Sequence, residues 1–134
     1  MHKLEYIEID HGAQPDALVI WLHGLGADGY DFKALIEQLV LPATLAIKFV
    51  LPHAPVLPVT LNNGAPMNAW YDIYSLQENS PEDEAGITLA TQSVENLIST
   101  EFSNYLSDKI IIAGFSQGGA VALHCYLHLS LIHI

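Results

Sequence analysis

Gly114-Phe115-Ser116-Gln117-Gly118 lies between an apolar run, Ile110-Ile111-Ile112-Ala113, and a segment of helical period running from Gly118 to about Leu129. A G-x-S-x-G string in this setting calls for a strand that ends abruptly, a helix that begins at once, and a serine on the sharp turn between them. The two glycines leave space for that turn, and the turn lifts the hydroxyl clear of the sheet. The helix that follows aims backbone N–H groups and a positive dipole end back at the same point. The rest of the chain agrees with a sheet that can hold such a turn. Ala17–Leu22 and residues 47–51 read as buried strands, the second stopped by Pro52. Between them Phe32, Leu35, Ile36, Leu39 and Val40 recur at three- and four-residue spacing, which predicts a helix over residues 30–40 with that face on the sheet. Ser80-Pro81-Glu82-Asp83 predicts a further helix start, with Ser80 as N-cap and Pro81 at the first helical position. Ile87, Ala90, Val94, Leu97 and Ile98 form its apolar face, and residues 109–113 make the next buried strand. Residues 52–66 carry four prolines and no sustained period, and read as a long functional loop. The expected class is α/β, a mostly parallel sheet with flanking helices.

Composition narrows the chemistry. The 134 residues are 51% hydrophobic and 14% charged, enough apolar material for the core of one domain. Four lysines and no arginine oppose fifteen carboxylates, so the net charge of −11 repels nucleic acid and anionic membranes. The sole cysteine, Cys125, allows no internal disulfide and fits a reducing compartment, read as the cytoplasm. The N-terminal residues alternate charged and apolar side chains, unlike a signal peptide, and no apolar stretch approaches the roughly 20 residues of a membrane span.

A serine hydroxyl becomes a useful nucleophile when it is exposed and paired with a base, and its tetrahedral intermediate needs two hydrogen-bond donors. The Gln117 N–H is the first candidate donor. The second is expected from the loop after an earlier strand, His23-Gly24-Leu25-Gly26, with the Leu25 N–H foremost. That loop also spells G-x-G-x-x-G, the dinucleotide pattern. Asp28 would set a negative charge beside a pyrophosphate, however, and Lys48-Phe49-Val50-Leu51 offers no acid for a ribose hydroxyl. Neither glycine-rich turn carries the lysine of a phosphate-binding P-loop. His124 and His128 stand at i, i+4 without the glutamate of H-E-x-x-H, so no metal and no cofactor are expected. Cys125 reads as a small core residue.

Taken together, Leu22-His23-Gly24-Leu25-Gly26-Ala27-Asp28-Gly29, Leu51-Pro52-His53-Ala54-Pro55, Pro58-Val59-Thr60-Leu61-Asn62, Ala69-Trp70-Tyr71-Asp72, Asp83-Glu84-Ala85-Gly86-Ile87 and Gly114-Phe115-Ser116-Gln117-Gly118-Gly119 resemble the phospholipase/carboxylesterase family, which includes acyl-protein thioesterases. The resemblance implies an α/β-hydrolase fold and cofactor-free cleavage of carboxylic esters or thioesters, with Ser116 as nucleophile and Leu25 and Gln117 as backbone oxyanion donors. It also implies substrate binding around His23, Gly24 and Trp70, on small-molecule esters, lysophospholipids or acylated proteins. Core or hairpin packing is the competing reading for Trp70 and Tyr71. A binding module that keeps the groove without the catalytic base is the competing reading for the whole.

In α/β-hydrolases the acid and the base follow the serine along the chain. Eighteen residues follow Ser116 here, and none is Asp or Glu. His124 lies about 12 Å further along the helix axis from Ser116, and His128 lies beyond it. The chain is therefore expected to be the N-terminal part of a longer enzyme, with the C-terminal strands of the fold missing and residues 130–134 a foreign tail. Without an acid and a base it should turn over weakly. An uncovered strand 109–113 should then present an apolar edge and favour self-association.

Overall fold

The computed structural model describes residues 3–133, with side chains through Leu129. Four strands form the main sheet in the order β1-β3-β2-β6: β1 (Tyr6–His11), β2 (Ala17–Leu22), β3 (Ile47–Pro52) and β6 (Ile110–Gly114). β3 and β6 lie parallel to β2 on either side of it, and β1 pairs antiparallel with β3. A separate two-stranded hairpin joins β4 (Val56–Pro58) to β5 (Pro66–Asn68). The helices are α1 (Lys33–Glu37), α2 (Glu84–Glu101) and α3 (Gln117–His133).

The two-residue period of β2 divides the core between the faces of the sheet. Leu18, Ile20 and Leu22 are fully buried and pack with Val50 beneath Ile87, Val94 and Leu97 of α2 and Val121 and Cys125 of α3. On the opposite face Val19 and Trp21 join Phe49, Leu51 and Ile36 of α1. Both helical faces thus press on one strand, which fixes β2 at the centre and brings its C-terminal end beside that of β6. Leu22 pairs with Gly114 there, so the loop after β2 and the turn after β6 emerge side by side.

Several expectations are corrected. The helix over residues 30–40 is a 3₁₀ turn, Gly29–Phe32, followed by the short α1; Leu35 is half exposed and Val40 lies fully in solvent. Only Phe32 and Ile36 of the predicted face pack inward, because the helix stops at Glu37 before Leu39 and Val40 can reach the sheet. Ser80 is not the N-cap of α2: its hydroxyl turns to the Pro81 carbonyl, and the Asp83 carboxylate accepts the Gly86 N–H at 3.0 Å instead. The other Asp83 oxygen accepts the Asp72 N–H, so the cap also anchors the preceding segment. The strand 109–113 is not buried; β6 has β2 as its one neighbour among the described residues, and Ile111 is 62% exposed. Residues 52–66, read as one long loop, contain β4 and a 3₁₀ turn, Thr60–Asn62. The backbone of α3 runs past Leu129, while the expected foreign character of residues 130–134 lies outside the described side chains. No helix of the described residues is long and apolar enough to cross a membrane.

Candidate active site

Ser116 occupies the turn between β6 and α3 with φ at +53°, in the left-handed region that L-residues seldom adopt. Its neighbours explain why the strain is held. The Phe115 N–H donates to the Leu22 carbonyl at 3.0 Å, and the Phe115 carbonyl accepts the Gly118 N–H at 3.0 Å, closing the turn on both sides. A Cβ on Gly114 would stand 2.2 Å from the Gly118 carbonyl oxygen, and one on Gly118 would stand 2.3 Å from the Leu22 carbonyl oxygen. Glycine at these two positions lets the turn pack against the end of β2. Ser116 itself is exposed.

The loop after β2 comes to the serine. A Cβ on Gly24 would lie 3.5 Å from the Ser116 Cβ, which measures how closely the two backbones approach. Among the described residues neither the Leu25 N–H nor the Gln117 N–H has an acceptor. For Gln117 this is the ordinary state of a helix's first residue. Two free donors therefore stand in the two segments that flank Ser116.

His23 is fully buried, and its tautomer is fixed by its partners. Nδ1 faces the Gly24 carbonyl at 2.7 Å and so carries the proton, while Nε2 accepts the Ala54 N–H at 3.0 Å. Burial pulls the imidazole below its ordinary pKa, outweighing the Gly24 carbonyl, so the ring stays neutral. Trp70 lies against it, ring centroids 5.2 Å apart, with the indole N–H donating to the His23 carbonyl at 2.8 Å. Gln117 reaches the same place from α3: its side-chain oxygen accepts the Trp70 N–H at 2.8 Å, and its side-chain nitrogen donates to the Tyr71 carbonyl at 2.7 Å. The Gly26 N–H donates to the Asn68 carbonyl, and the Asn68 side chain to the Ala54 carbonyl, both at 2.8 Å.

The structure thus brings the segments of Ser116, Gly24, Leu25 and Gln117 together, Ser116 exposed, Leu25 half-buried and Gly24 and Gln117 buried, with His23 and Trp70 also closed off from solvent. No described histidine bonds Ser116. His53 accepts the Gly29 N–H and stacks on Tyr30, His11 meets the Pro42 carbonyl, and His128 pairs with Glu95 of α2. Burial pushes the Cys125 thiol up to about 12, keeping it protonated within the core. No group of three or more His, Cys, Asp or Glu among the described residues is placed to hold a metal ion. Sequence reasoning missed the Gln117 side chain. Its signal was available only as a long polar residue in the turn Gly114-Phe115-Ser116-Gln117-Gly118, and its partners lie some 46 residues upstream.

Comparison with known proteins agrees with this geometry. The family model described as Phospholipase/Carboxylesterase matches residues 4–132. Acyl-protein thioesterase 1 of Schizosaccharomyces pombe is 40% identical over 126 residues, covering 93% of this chain and 55% of that protein. Acyl-protein thioesterase 1 of Mycosarcoma maydis is 39% identical over 123 residues, covering 84% and 51%. The crystal structure of Zea mays acyl-protein thioesterase 2 superposes with a TM-score of 0.77 at 37% identity, covering 90% of this chain and 50% of that one. The chain therefore spans about half the length of the curated relatives it matches. With the serine turn, the loop after β2 and the parallel sheet in the order the α/β-hydrolase fold requires, the chain belongs to the phospholipase/carboxylesterase family.

Proposed function

We propose that this protein is a serine hydrolase that cleaves carboxylic esters or thioesters through an acyl-serine intermediate. The observation that carries the reading is an exposed Ser116 at positive φ, with free backbone donors on both flanking segments. Ser116 Oγ attacks the acyl carbon, the alkoxide or thiolate leaves with a proton, and water then releases the acid and restores the serine. The Leu25 and Gln117 N–H groups hold the developing oxyanion, which is where such donors contribute most. Gly24 borders the substrate with its backbone. His23 and Trp70, closed off from solvent, support the binding surface from beneath.

The proton on Ser116 needs a base, and none of the described histidines is bonded to it. Oxyanion donors and binding without a working base still leave on the order of 10³ to 10⁴ over water. Weak turnover is thus the expectation for the 134-residue chain. Long-chain, protein-linked and small acyl groups all fall within the substrate class, acylated proteins being suggested by the thioesterase relatives. The unpaired thiol fits the cytoplasm, and the apolar β6 edge favours self-association.

A fluorophosphonate probe tests the nucleophile directly, because it forms a stable bond to an activated serine. The wild-type chain is expected to carry one adduct on Ser116, found by peptide mass mapping, and Ser116→Ala none. Equal labelling of Ser116→Ala would remove Ser116 from the chemistry, and an unlabelled but folded wild type would favour the binding module that keeps the groove without the base.

A further inference from the structure

We propose that the Gln117 side chain, acting through residues 68–71, is a positioning group that sets the Leu25 and Gln117 donors relative to one another. The inference rests on Ser116 as nucleophile and assigns the side chain a task separate from that of its own backbone. The hydrogen bond from the Phe115 N–H to the Leu22 carbonyl, and the pairing of Leu22 with Gly114, fix only the bases of the two loops. Their tips need another tie.

Residues 68–71 supply it. A primary amide offers a donor and an acceptor at once, as a neighbouring strand would, and Gln117 uses both on successive residues, accepting the Trp70 N–H and donating to the Tyr71 carbonyl. From Trp70 the connection continues to the His23 carbonyl through the indole. From Asn68 it continues to the Gly26 N–H. The Leu25 peptide is therefore bracketed, its predecessor and its successor both bonded to a segment that is itself bonded to the elbow. Gln117 is 5% exposed, Trp70 3% and Tyr71 8%, so water cannot take over a lost bond. A break would leave buried groups unpaired, the costliest state for a polar atom.

Gln117→Glu tests the tie while keeping size and shape. The carboxylate has nothing to donate to Tyr71 and is repelled by its carbonyl, which drives the side chain off residues 70 and 71 and takes the acceptor from the Trp70 N–H as well. In the ¹⁵N-labelled full chain the Trp70 amide should exchange with solvent about tenfold faster, and the Leu25 and Gly26 amide resonances should shift. Trp70→Phe removes only the indole bond; it should move Leu25 while leaving the Trp70 amide protected, and it carries the test if the glutamate variant does not fold. Changes confined to residues 70 and 71 in both variants would reduce Gln117 to local packing and overturn the proposal. The labelling rate supplies an independent reading. Where the wild type reacts at Ser116, Gln117→Glu should slow the reaction about tenfold, a partial loss of what one oxyanion donor supplies, and an unchanged rate overturns positioning. Where the wild type does not react, the nucleophile reading fails by itself, and the amide measurements alone decide whether the tie exists.

Discussion

At the scale of single residues, exposed Ser116 stands apart from the buried groups that hold its surroundings in place, and His23 is one of the latter. Its neutral ring donates through Nδ1 and accepts through Nε2, so protonation would turn the acceptor into a donor facing the Ala54 N–H. Burial has lowered its folded pKa below the ordinary 6.5. The unfolded chain therefore binds a proton that the native chain refuses; the stability His23 contributes is complete above 6.5 and is lost as pH falls through the window beneath it. Between about pH 7.5 and about pH 5.5 the urea midpoint should fall further for the wild type than for His23→Asn, which has no proton to bind there. Equal falls would show that the ring is not held neutral. The sharp turn at Ser116 and the loop at Gly24 beside it were legible in the sequence because each is written within a few consecutive residues. The roles of His23 and the Gln117 side chain were not, because each is defined by a partner distant in the chain, Ala54 in one case and Trp70 with Tyr71 in the other.

At the scale of elements, periodicity was a good guide where an element is packed along its length. β2 begins and ends where its apolar run does, and Ile87, Ala90, Val94 and Leu97 of α2 all lie in the core. It misled where an element is short or stands at an edge: α1 has too few turns for a full stripe, and the three isoleucines of β6 alternate between a packed face and an open one. The β4–β5 hairpin left no trace, since its strands are three residues each and Pro58 and Pro66, paired at its turn end, mask the alternation. The start of α2 turned on which acceptor wins. Asp83 is charged and satisfies Gly86 and Asp72 together, whereas Ser80 sits too early to meet the first turn. Asp83→Ala should accordingly cost about 1–2 kcal/mol in chemical denaturation, while Ser80→Ala should stay within about 0.5 kcal/mol. The reverse ranking would restore the serine as cap.

At the scale of the whole molecule, the two rims of the sheet differ in character. Among the described residues β6 ends the sheet with Ile110, Ile111 and Ile112, and a groove of about 380 Å³ bounded by Ile98, Ile112, Tyr126 and Leu129 lies beside it. Unpaired backbone with apolar side chains on both faces is a template for another strand, and sedimentation velocity at micromolar concentration should show self-association. Ile111→Lys should shift the chain toward monomer without unfolding it, because Ile111 is already largely in solvent. A wild type that sediments as a sharp monomer would exclude the edge as a contact. The opposite rim is β1, where Lys48 is held between Glu8 at 2.7 Å and Asp10 at 2.8 Å. A second copy meeting β6 edge to edge would build a continuous sheet with a β1 at each outer end, related by a twofold axis. A third copy would then meet Glu8, Asp10 and Lys48 at either outer end, so growth beyond a pair should be weaker than the first contact.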